Sequence, residues 1–514
     1  MTTPERFNIS TLVDRNCLSG RAAKVAIYAG AEQVTYAELF ARICAMGTAL
    51  TTLGVRREQR VLLILDDSPD FPTVFLGAAR IGAVPVPVNP ALNIDDYRFF
   101  LADSYADVVV VESARYQHIR PVLDEVGVRA IVAGEPVDGA LSLRALLGEH
   151  AGETSPVDTH AQDMGFWLYS SGSTGHPKGV VHSHGDLLVT CQTYADKVLG
   201  IRDDDITFSS TKLYHAYGMG NGMSFPYWAG GSSVLMRGRP KPESVLDTAE
   251  KFRPTIFFSV PTLYHAMLRS PGAAARDLSS VRLCASAAEP LPAGIWQRWK
   301  DRFGLTILDG IGSTEMLHIY CSNTETDLRP GSSGKAVPGY QVKLVGFDGG
   351  SVDVDEPGNL YAKGDSALDF YWHRREKTRQ SLHGEWFFTG DRYTRDADGF
   401  YWYCGRADDM MKIGGLWVSP IEIENTLIDH PLVAEVAIVA TSVDGLARIK
   451  AFVVLSETEL PEREPSNVLA AQLQEWCKER LQRYQFPHFV EFLAELPKTA
   501  TGKIQRYKLR DASL

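Results

Sequence analysis

Two short segments of this chain combine residue types in the way nucleotide chemistry requires. In Tyr169-Ser-Ser-Gly-Ser-Thr-Gly-His-Pro-Lys-Gly179, the residues Ser170, Ser171, Gly172, Ser173, Thr174 and Gly175 form an unbroken run of hydroxyls and glycines, with the positive charge of Lys178 close behind. Backbone N–H groups that converge in such a loop, free of bulky side chains, let a polyphosphate lie against the main chain. The second segment, Asp309-Gly-Ile-Gly-Ser-Thr-Glu315, sets a carboxylate beside a hydroxyl at a glycine-rich turn. Such a pair can hold Mg2+ and orient a phosphate, since magnesium takes oxygen ligands from one or two carboxylates plus the substrate's own phosphates. Each segment also has an ordinary reading, the first as a Gly/Ser linker and the second as a polar loop. Against a linker stand the Pro177-Lys178-Gly179 stop and the apolar flanks; against a Walker-type P-loop stands Gly175-His-Pro-Lys178, which lacks the Gly-Lys-Ser/Thr ending.

These residues need elements to position them. Phe166–Tyr169 reads as a buried strand, and Asp186–Leu199 repeats Leu187, Leu188, Cys191, Ala195 and Val198 with helical spacing. The expected frame is therefore strand, loop, helix, with the helix N-terminus favouring an anion. Upstream, Leu39, Ile43, Met46, Leu50 and Leu53 mark a helix stopped by Gly54; Arg60–Leu65, Ala83–Val88 and Asp107–Val111 read as strands and Phe71–Ile81 as a helix. This alternation predicts an α/β fold with parallel-rich sheets covered by helices. Residues 113–163 are weakly patterned. A second alternating block runs to about residue 325, with strands at Ile256–Ser259 and Arg282–Ala285. From about 330 to 405, Tyr340–Val345, Gly358–Ala362 and Phe400–Tyr403 predict a small β subdomain. Beyond Gly405-Arg-Ala-Asp-Asp409 the pattern is short and mixed: a helix from Pro420, strands Val433–Ala440 and Lys450–Leu455, and a helix near Asn467–Arg483. The domains expected are an N-terminal one over residues 1–407 and an α+β C-terminal one over 408–514.

A chain of 514 residues exceeds the size at which single cores stop growing. The net charge of −11 gives no support to a nucleic-acid surface. Seven scattered cysteines without CxxC spacing read as reduced thiols and no zinc site, and the start Met1-Thr-Thr-Pro has no apolar leader. With no apolar stretch of about 18 residues either, a soluble cytoplasmic protein without membrane partners is expected.

Ser170-Ser-Gly-Ser-Thr-Gly-His-Pro-Lys-Gly-Val180 closely resembles the phosphate loop of the AMP-forming adenylating enzymes, which include acyl-CoA synthetases, luciferases and peptide-synthetase adenylation domains. The resemblance extends over about residues 30–510. It implies ATP and Mg2+ as reactants: Lys178 and the loop residues 170–175 on phosphate, Asp309, Gly310, Ile311, Gly312, Ser313 and Thr314 along the nucleotide, and Glu315 on the metal. The family more often carries Tyr at Ile311. Ala287, Ala288 and Glu289, in Ser286-Ala-Ala-Glu289, resemble the turn that flanks adenine. Asp391, in Thr389-Gly-Asp391, matches the ribose-binding carboxylate, and Arg406 a second nucleotide contact; alone, each would read as a turn residue or a surface charge. Lys503, otherwise a solvated lysine near the chain end, matches the lysine that a moving lid brings to the reacting carboxylate and α-phosphate. The chemistry needs such a cation, because two anions at about 4 Å repel by roughly 4 kcal/mol at an effective dielectric of 20. In the family the lid turns at the position of Asp408 and brings Gly414, Gly415 and Trp417 to the thiol tunnel of coenzyme A, where two glycines let backbone approach a narrow ligand. Without a ligand the same Gly-Gly reads as a tight hairpin.

Lys212-Leu-Tyr-His-Ala-Tyr-Gly-Met-Gly-Asn221, Asp309–Ile319 and Lys412-Ile-Gly-Gly-Leu-Trp-Val-Ser-Pro420 resemble benzoate–CoA ligases in particular. The subgroup implies an aryl pocket lined by Ala216, Tyr217, Ile311, Gly312 and His318, and a CoA-side gate at His215, where benzoate ligases carry Phe. A packed core aromatic is the ordinary reading of His215. The implied reaction joins a small aromatic carboxylic acid to CoA at the expense of ATP. The alternatives are a stand-alone adenylation enzyme that loads a carrier protein, weakened because no carrier-type serine motif stands near a chain end, and a nucleotide-binding sensor, opposed by intact Lys503 and Glu315. A monomer or homodimer is expected.

Overall fold

A computed structural model describes residues 3–170, 177–346, 348–406, 411–413, 416–443, 446–456, 466–482, 485–498 and 504–511. The chain forms two compact units: Met1–Leu291 with Trp296–Val342 and Ala362–Phe387, and Pro292–Ile295 with Lys343–Tyr361 and Phe388–Leu514.

The first unit carries two sheets of the parallel kind. One has the strand order Val84–Pro87, Arg60–Ile64, Ala106–Glu112, Arg129–Ala133, Leu141–Ser142, parallel throughout. Its central strands are near-continuous runs of Val, Leu and Ile buried on both faces, the pattern a helix-covered parallel sheet demands. The other has nine strands, of which Ile307–Gly312, Leu283–Ser286, Ile256–Ser259, Ile206–Ser209, Ser232–Val234 and Val25–Ala29 are parallel, with antiparallel strands closing both ends. The helix Tyr36–Thr52 is started by a Thr35/Glu38 capping box, and Gly54 with φ +94° follows its end. A third, small sheet pairs Met164–Ser170, Lys178–Ser183 and Phe370–Tyr371, all antiparallel.

Two expectations need correction. The phosphate loop does not pass directly from strand to helix: the strand Lys178–Ser183 intervenes, so the loop closes a hairpin and the helix begins at His184. The weakly patterned residues 113–163 contain the helices Ser113–Val126 and Leu143–Glu149 and the strands Arg129–Ala133 and Leu141–Ser142. Pro121 inside the first helix, and the exposed face opposite Tyr116, Ile119, Val122 and Leu123, hid its period.

The β-rich stretch is present as strands Gln341–Val345, Gly358–Lys363, Trp386–Arg395 and Tyr401–Arg406. In the second unit the helix Pro420–Ile428, the strands Val433–Val443 and Leu446–Leu455 and the helix Ser466–Arg480 occupy their expected places, and Phe489–Phe492 joins the sheet in parallel. Its core gathers Ile423, Leu427, Val436, Ile438, Ala451, Val453 and Leu473. The expected boundary at 407 and 408 falls outside the described residues. All seven cysteines are free, and among the described residues no helix is long and apolar enough to cross a membrane.

Candidate functional site

The hairpin fixes the two ends of the phosphate loop: Ser170 and Lys178 are register partners across it. Its base is anchored from outside. The buried Asp103 carboxylate accepts from Tyr169 Oη at 2.9 Å and pairs with Arg374 at 3.3 Å, while its main-chain carbonyl accepts from Trp372 Nε1 at 2.8 Å. Trp372 in turn lies on Trp167 with ring centroids 4.4 Å apart. Ser171, Gly172, Ser173, Thr174 and Gly175 lie outside the described residues.

The second motif meets the first through Glu315. Its Oε1 accepts from Ser170 Oγ at 3.2 Å and from Tyr371 Oη at 2.9 Å, and Lys178 Nζ stands 4.7 Å from the centre of the Tyr371 ring. A hydrogen bond to a charged group contributes about 1.5–3 kcal/mol, so the carboxylate is firmly oriented beside both loop ends. One carboxylate flanked by hydroxyl oxygens suits a hard cation held mainly by substrate phosphates, so the residues present fit Mg2+. Thr314–Met316 form a single 3-10 turn, with Ser313 Oγ accepting from Met316 N–H at 3.2 Å. Leu317 follows at φ +65°, a region bulky side chains avoid, and turns the chain between Glu315 and His318. Gly312 is required by close approach: a Cβ there would lie 2.6 Å from the His318 carbonyl oxygen.

His318 is 3% exposed and boxed by aromatic rings, with centroids of Phe225 at 4.5 Å, Tyr194 at 5.1 Å and Tyr217 at 5.4 Å. Its Nε2 faces two acceptors, the Tyr217 carbonyl at 3.3 Å and Asn221 Oδ1 at 3.2 Å, so that nitrogen carries the hydrogen. Its Nδ1 is buried and has no partner among the described residues. Burial pushes the imidazole down to about 3, which keeps the ring neutral. Gly220 allows this seat, because a Cβ there would stand 2.4 Å from His318 Cδ2. Ala216 and Tyr217 begin the turn Ala216–Met219, with His215 at its N-cap and edge-on to Tyr214. The approach to that turn is pinned from below: Leu213 N–H donates to Asp67 Oδ1 at 2.9 Å, and the buried Lys212 Nζ stands 2.9 Å from Asp66 Oδ1. Burial pushes Asp67 up to about 7 against the pull of Lys212.

Asp309 is 4% exposed, its carboxyl pushed well above the usual range by burial, while its main-chain carbonyl accepts from Asn323. It is register partner of Ser286 in the neighbouring strand. Ala287 is buried, Ala288 takes φ +75°, and Glu289 Oε2 accepts from Thr262 N–H at 3.1 Å and from the Thr262 hydroxyl. Gly310 and Ile311 continue the Asp309 strand.

In the second unit Asp391 and Arg406 are register partners on adjacent antiparallel strands. Arg406 Nη1 donates to Asp391 Oδ1 at 3.0 Å and to the Thr389 carbonyl at 3.2 Å. Trp417 lies on the strand Leu416–Val418, paired with Met411–Ile413. Asp408, Gly414, Gly415 and Lys503 lie outside the described residues.

Sequence reasoning missed the groups that hold these motifs in place: Tyr371, Asp103, and the pair His182 and Asp186. Of these, His182 and Asp186 carried a signal, a histidine and a carboxylate four residues apart just after the phosphate loop.

Residues 14–372 match the family described as AMP-binding enzyme, and residues 422–503 the AMP-binding enzyme C-terminal domain. The chain is 44% identical to the benzoate–CoA ligase of Thauera aromatica, over 99% of this chain and 97% of that protein. The crystal structure of the anthranilate CoA ligase AuaEII in complex with anthranoyl-AMP superposes with a TM-score of 0.96 at 40% identity, covering 100% of this chain and 99% of that one. A benzoate CoA ligase structure from Burkholderia xenovorans LB400 gives a TM-score of 0.91 at 42% identity, over 98% of this chain and 100% of that one.

Proposed function

The chain belongs to the AMP-binding enzyme family, and from that premise we propose that it is an ATP-dependent aryl-CoA ligase acting on a benzoate-type acid. What carries the reading is the economy of one short segment: within Asp309–His318 stand both the Thr314–Glu315 pair, oriented beside the phosphate loop, and the neutral His318 in its aromatic box. End-to-end likeness to benzoate and anthranilate CoA ligases supports the same acid class.

In the first half-reaction a carboxylate oxygen of the acid attacks the α-phosphorus of ATP and pyrophosphate leaves. Ser170, Lys178 and the loop residues 171–175 hold the phosphates, Thr314 takes an α-phosphate oxygen, and Glu315 holds the metal. Magnesium, when bound there, supplies positive charge that offsets repulsion between the two reacting anions. Ala287, Ala288, Glu289 and the strand residues from Asp309 flank the base, Asp391 and Arg406 take the ribose side, and Lys503 stabilises the charge developing between carboxylate and phosphate. In the second half-reaction the CoA thiol, having lost its proton, attacks the acyl carbon and AMP leaves. For this step the lid 408–514 turns at Asp408, withdraws Lys503 and brings Gly414, Gly415 and Trp417 to the thiol route, with His215 at its inner end. Tyr217, Ala216, Ile311, Gly312 and His318 hold the ring, since flat aromatic walls favour a planar acid. A cytoplasmic setting suits seven free thiols.

Pyrophosphate release from benzoate and ATP, measured with and without CoA, tests the reading. A ligase releases pyrophosphate continuously with CoA and forms a thioester. A carrier-protein loader is indifferent to CoA, and a sensor releases none.

A further inference from the structure

We propose that His182, braced by Asp186, is a positioning residue for adenylate formation, because it holds the main chain of the Thr314–Glu315 pair in register with the phosphate loop. The proposal rests on the reading that Thr314 and Glu315 face the nucleotide.

His182 lies on the strand that leaves the phosphate loop, four residues after Lys178, and is 0% exposed. Its Nε2 stands 2.8 Å from the Thr314 carbonyl oxygen. A carbonyl can only accept, so Nε2 carries a hydrogen and donates it. Its Nδ1 stands 2.8 Å from Asp186 Oδ2, with a proton between them. Asp186 is itself fixed at the start of the helix His184–Thr190: it accepts from Ser183 N–H at 3.1 Å on Oδ2 and from Ser183 Oγ at 2.5 Å on Oδ1. The imidazole also stacks on Phe166, its register partner across the hairpin, with centroids 5.4 Å apart and planes 22° from parallel. A ring held at both nitrogens and on one face has one orientation.

What the ring holds is a segment with little support of its own. Thr314–Met316 is one 3-10 turn, and each of its three carbonyls is tied to another part of the chain. Thr314 accepts from His182, Glu315 from Leu368 N–H at 2.6 Å, and Met316 from Ser366 Oγ at 2.8 Å. The His182 tie links this turn to the same hairpin that carries Ser170 and Lys178. Filling a core needs no polar dyad, since an apolar side chain beside Phe166 would occupy the space without the cost of burying two polar groups. A precise relation between Lys178, Thr314 and Glu315 does need one, because outer partners of a metal and phosphate site set the direction of the groups that touch the ligand.

The test uses the full chain with His182→Phe, which keeps the stacking and removes both hydrogen bonds, His182→Gln, whose amide can still donate to the Thr314 carbonyl, and Glu315→Gln. Four quantities are read: melting temperature, pyrophosphate release from benzoate and ATP, thioester formation from supplied benzoyl-adenylate and CoA, and ATP affinity by calorimetry with and without Mg2+. His182→Phe is expected to lower kcat/KM for ATP by about 10–100-fold, and to weaken the Mg2+-dependent part of ATP binding by a similar factor. The second half-reaction should stay at the wild-type rate, and His182→Gln should recover most of the loss. Equal losses in both half-reactions, wild-type adenylation in His182→Phe, or a glutamine variant no better than phenylalanine overturns the proposal. If the phenylalanine variant does not fold, glutamine against wild type decides: loss confined to the ATP-dependent step supports the role, and loss shared by both steps refutes it. Wild-type behaviour in Glu315→Gln instead sinks the underlying reading of Thr314 and Glu315, whereas impaired Glu315→Gln with normal His182→Phe sinks this proposal alone.

Discussion

Replacing Lys503 with alanine should abolish adenylate formation and spare thioester formation from a supplied aryl-adenylate. Loss of one charge stabiliser at a transition state commonly costs about 10²–10³ in rate, and in the proposed scheme this lysine acts in the first lid position alone. Measuring the two half-reactions separately checks it; equal losses would remove the two-position scheme. Asp67 offers a test by pH. Its folded-state value, about 7, lies above the unfolded carboxylate value, so between about pH 4 and 7 the native state binds the extra proton. Stability from this group is therefore present at low pH and lost as pH rises through 7, by up to about 1.4 kcal/mol per unit. Asp67→Asn keeps an acceptor for Leu213 N–H and removes the titration. The stability of wild type relative to this variant, followed by denaturant unfolding from pH 5 to 8, should fall with rising pH. A flat difference would mean that Lys212 and the Leu213 N–H hold Asp67 ionised throughout, against the neighbouring Asp66 charge.

At the scale of elements, the wide helical turns Gly220–Ser224 press against the His318 ring, and Gly220→Ala should show how much depends on that contact. The ring is boxed by Phe225, Tyr194 and Tyr217 and cannot withdraw, so the added methyl should cost about 1–3 kcal/mol of stability and raise KM for the aryl acid with little change in KM for ATP. An unchanged aryl KM would place the acid elsewhere. Elements were legible in the sequence where burial was continuous, as in Arg60–Ile64 and Ala106–Glu112, and where a helix stop was explicit, as at Gly54. Lys178–Ser183 was not: its apolar core is the pair Val180-Val181, too short to show a period between a loop and a helix cap. The motif residues were legible because chemistry fixes their types. Their supports were harder to read, because Asp103, Tyr371 and His182 act through tertiary contacts 56 to 269 residues apart in the chain.

For the whole molecule, the scheme requires the C-terminal residues to serve two half-reactions in turn. Asp408→Pro should let the adenylate form and accumulate while CoA no longer discharges it, since proline fixes φ near −65° and stiffens the pivot. Normal turnover would put the hinge elsewhere. Aryl-CoA ligase activity is read from kcat/KM for CoA thioester formation across benzoate, 2-aminobenzoate, 4-hydroxybenzoate and hexanoate, each with ATP, Mg2+ and CoA. Benzoate or its 2-amino derivative should lead, because a small ortho group can meet the acceptor Nδ1 of His318, whereas hexanoate forfeits packing against the rings of Tyr217 and His318. A series led by 4-hydroxybenzoate would contradict the small aryl slot, and one led by hexanoate, or an adenylate that CoA fails to convert to thioester, would contradict an aryl-CoA ligase.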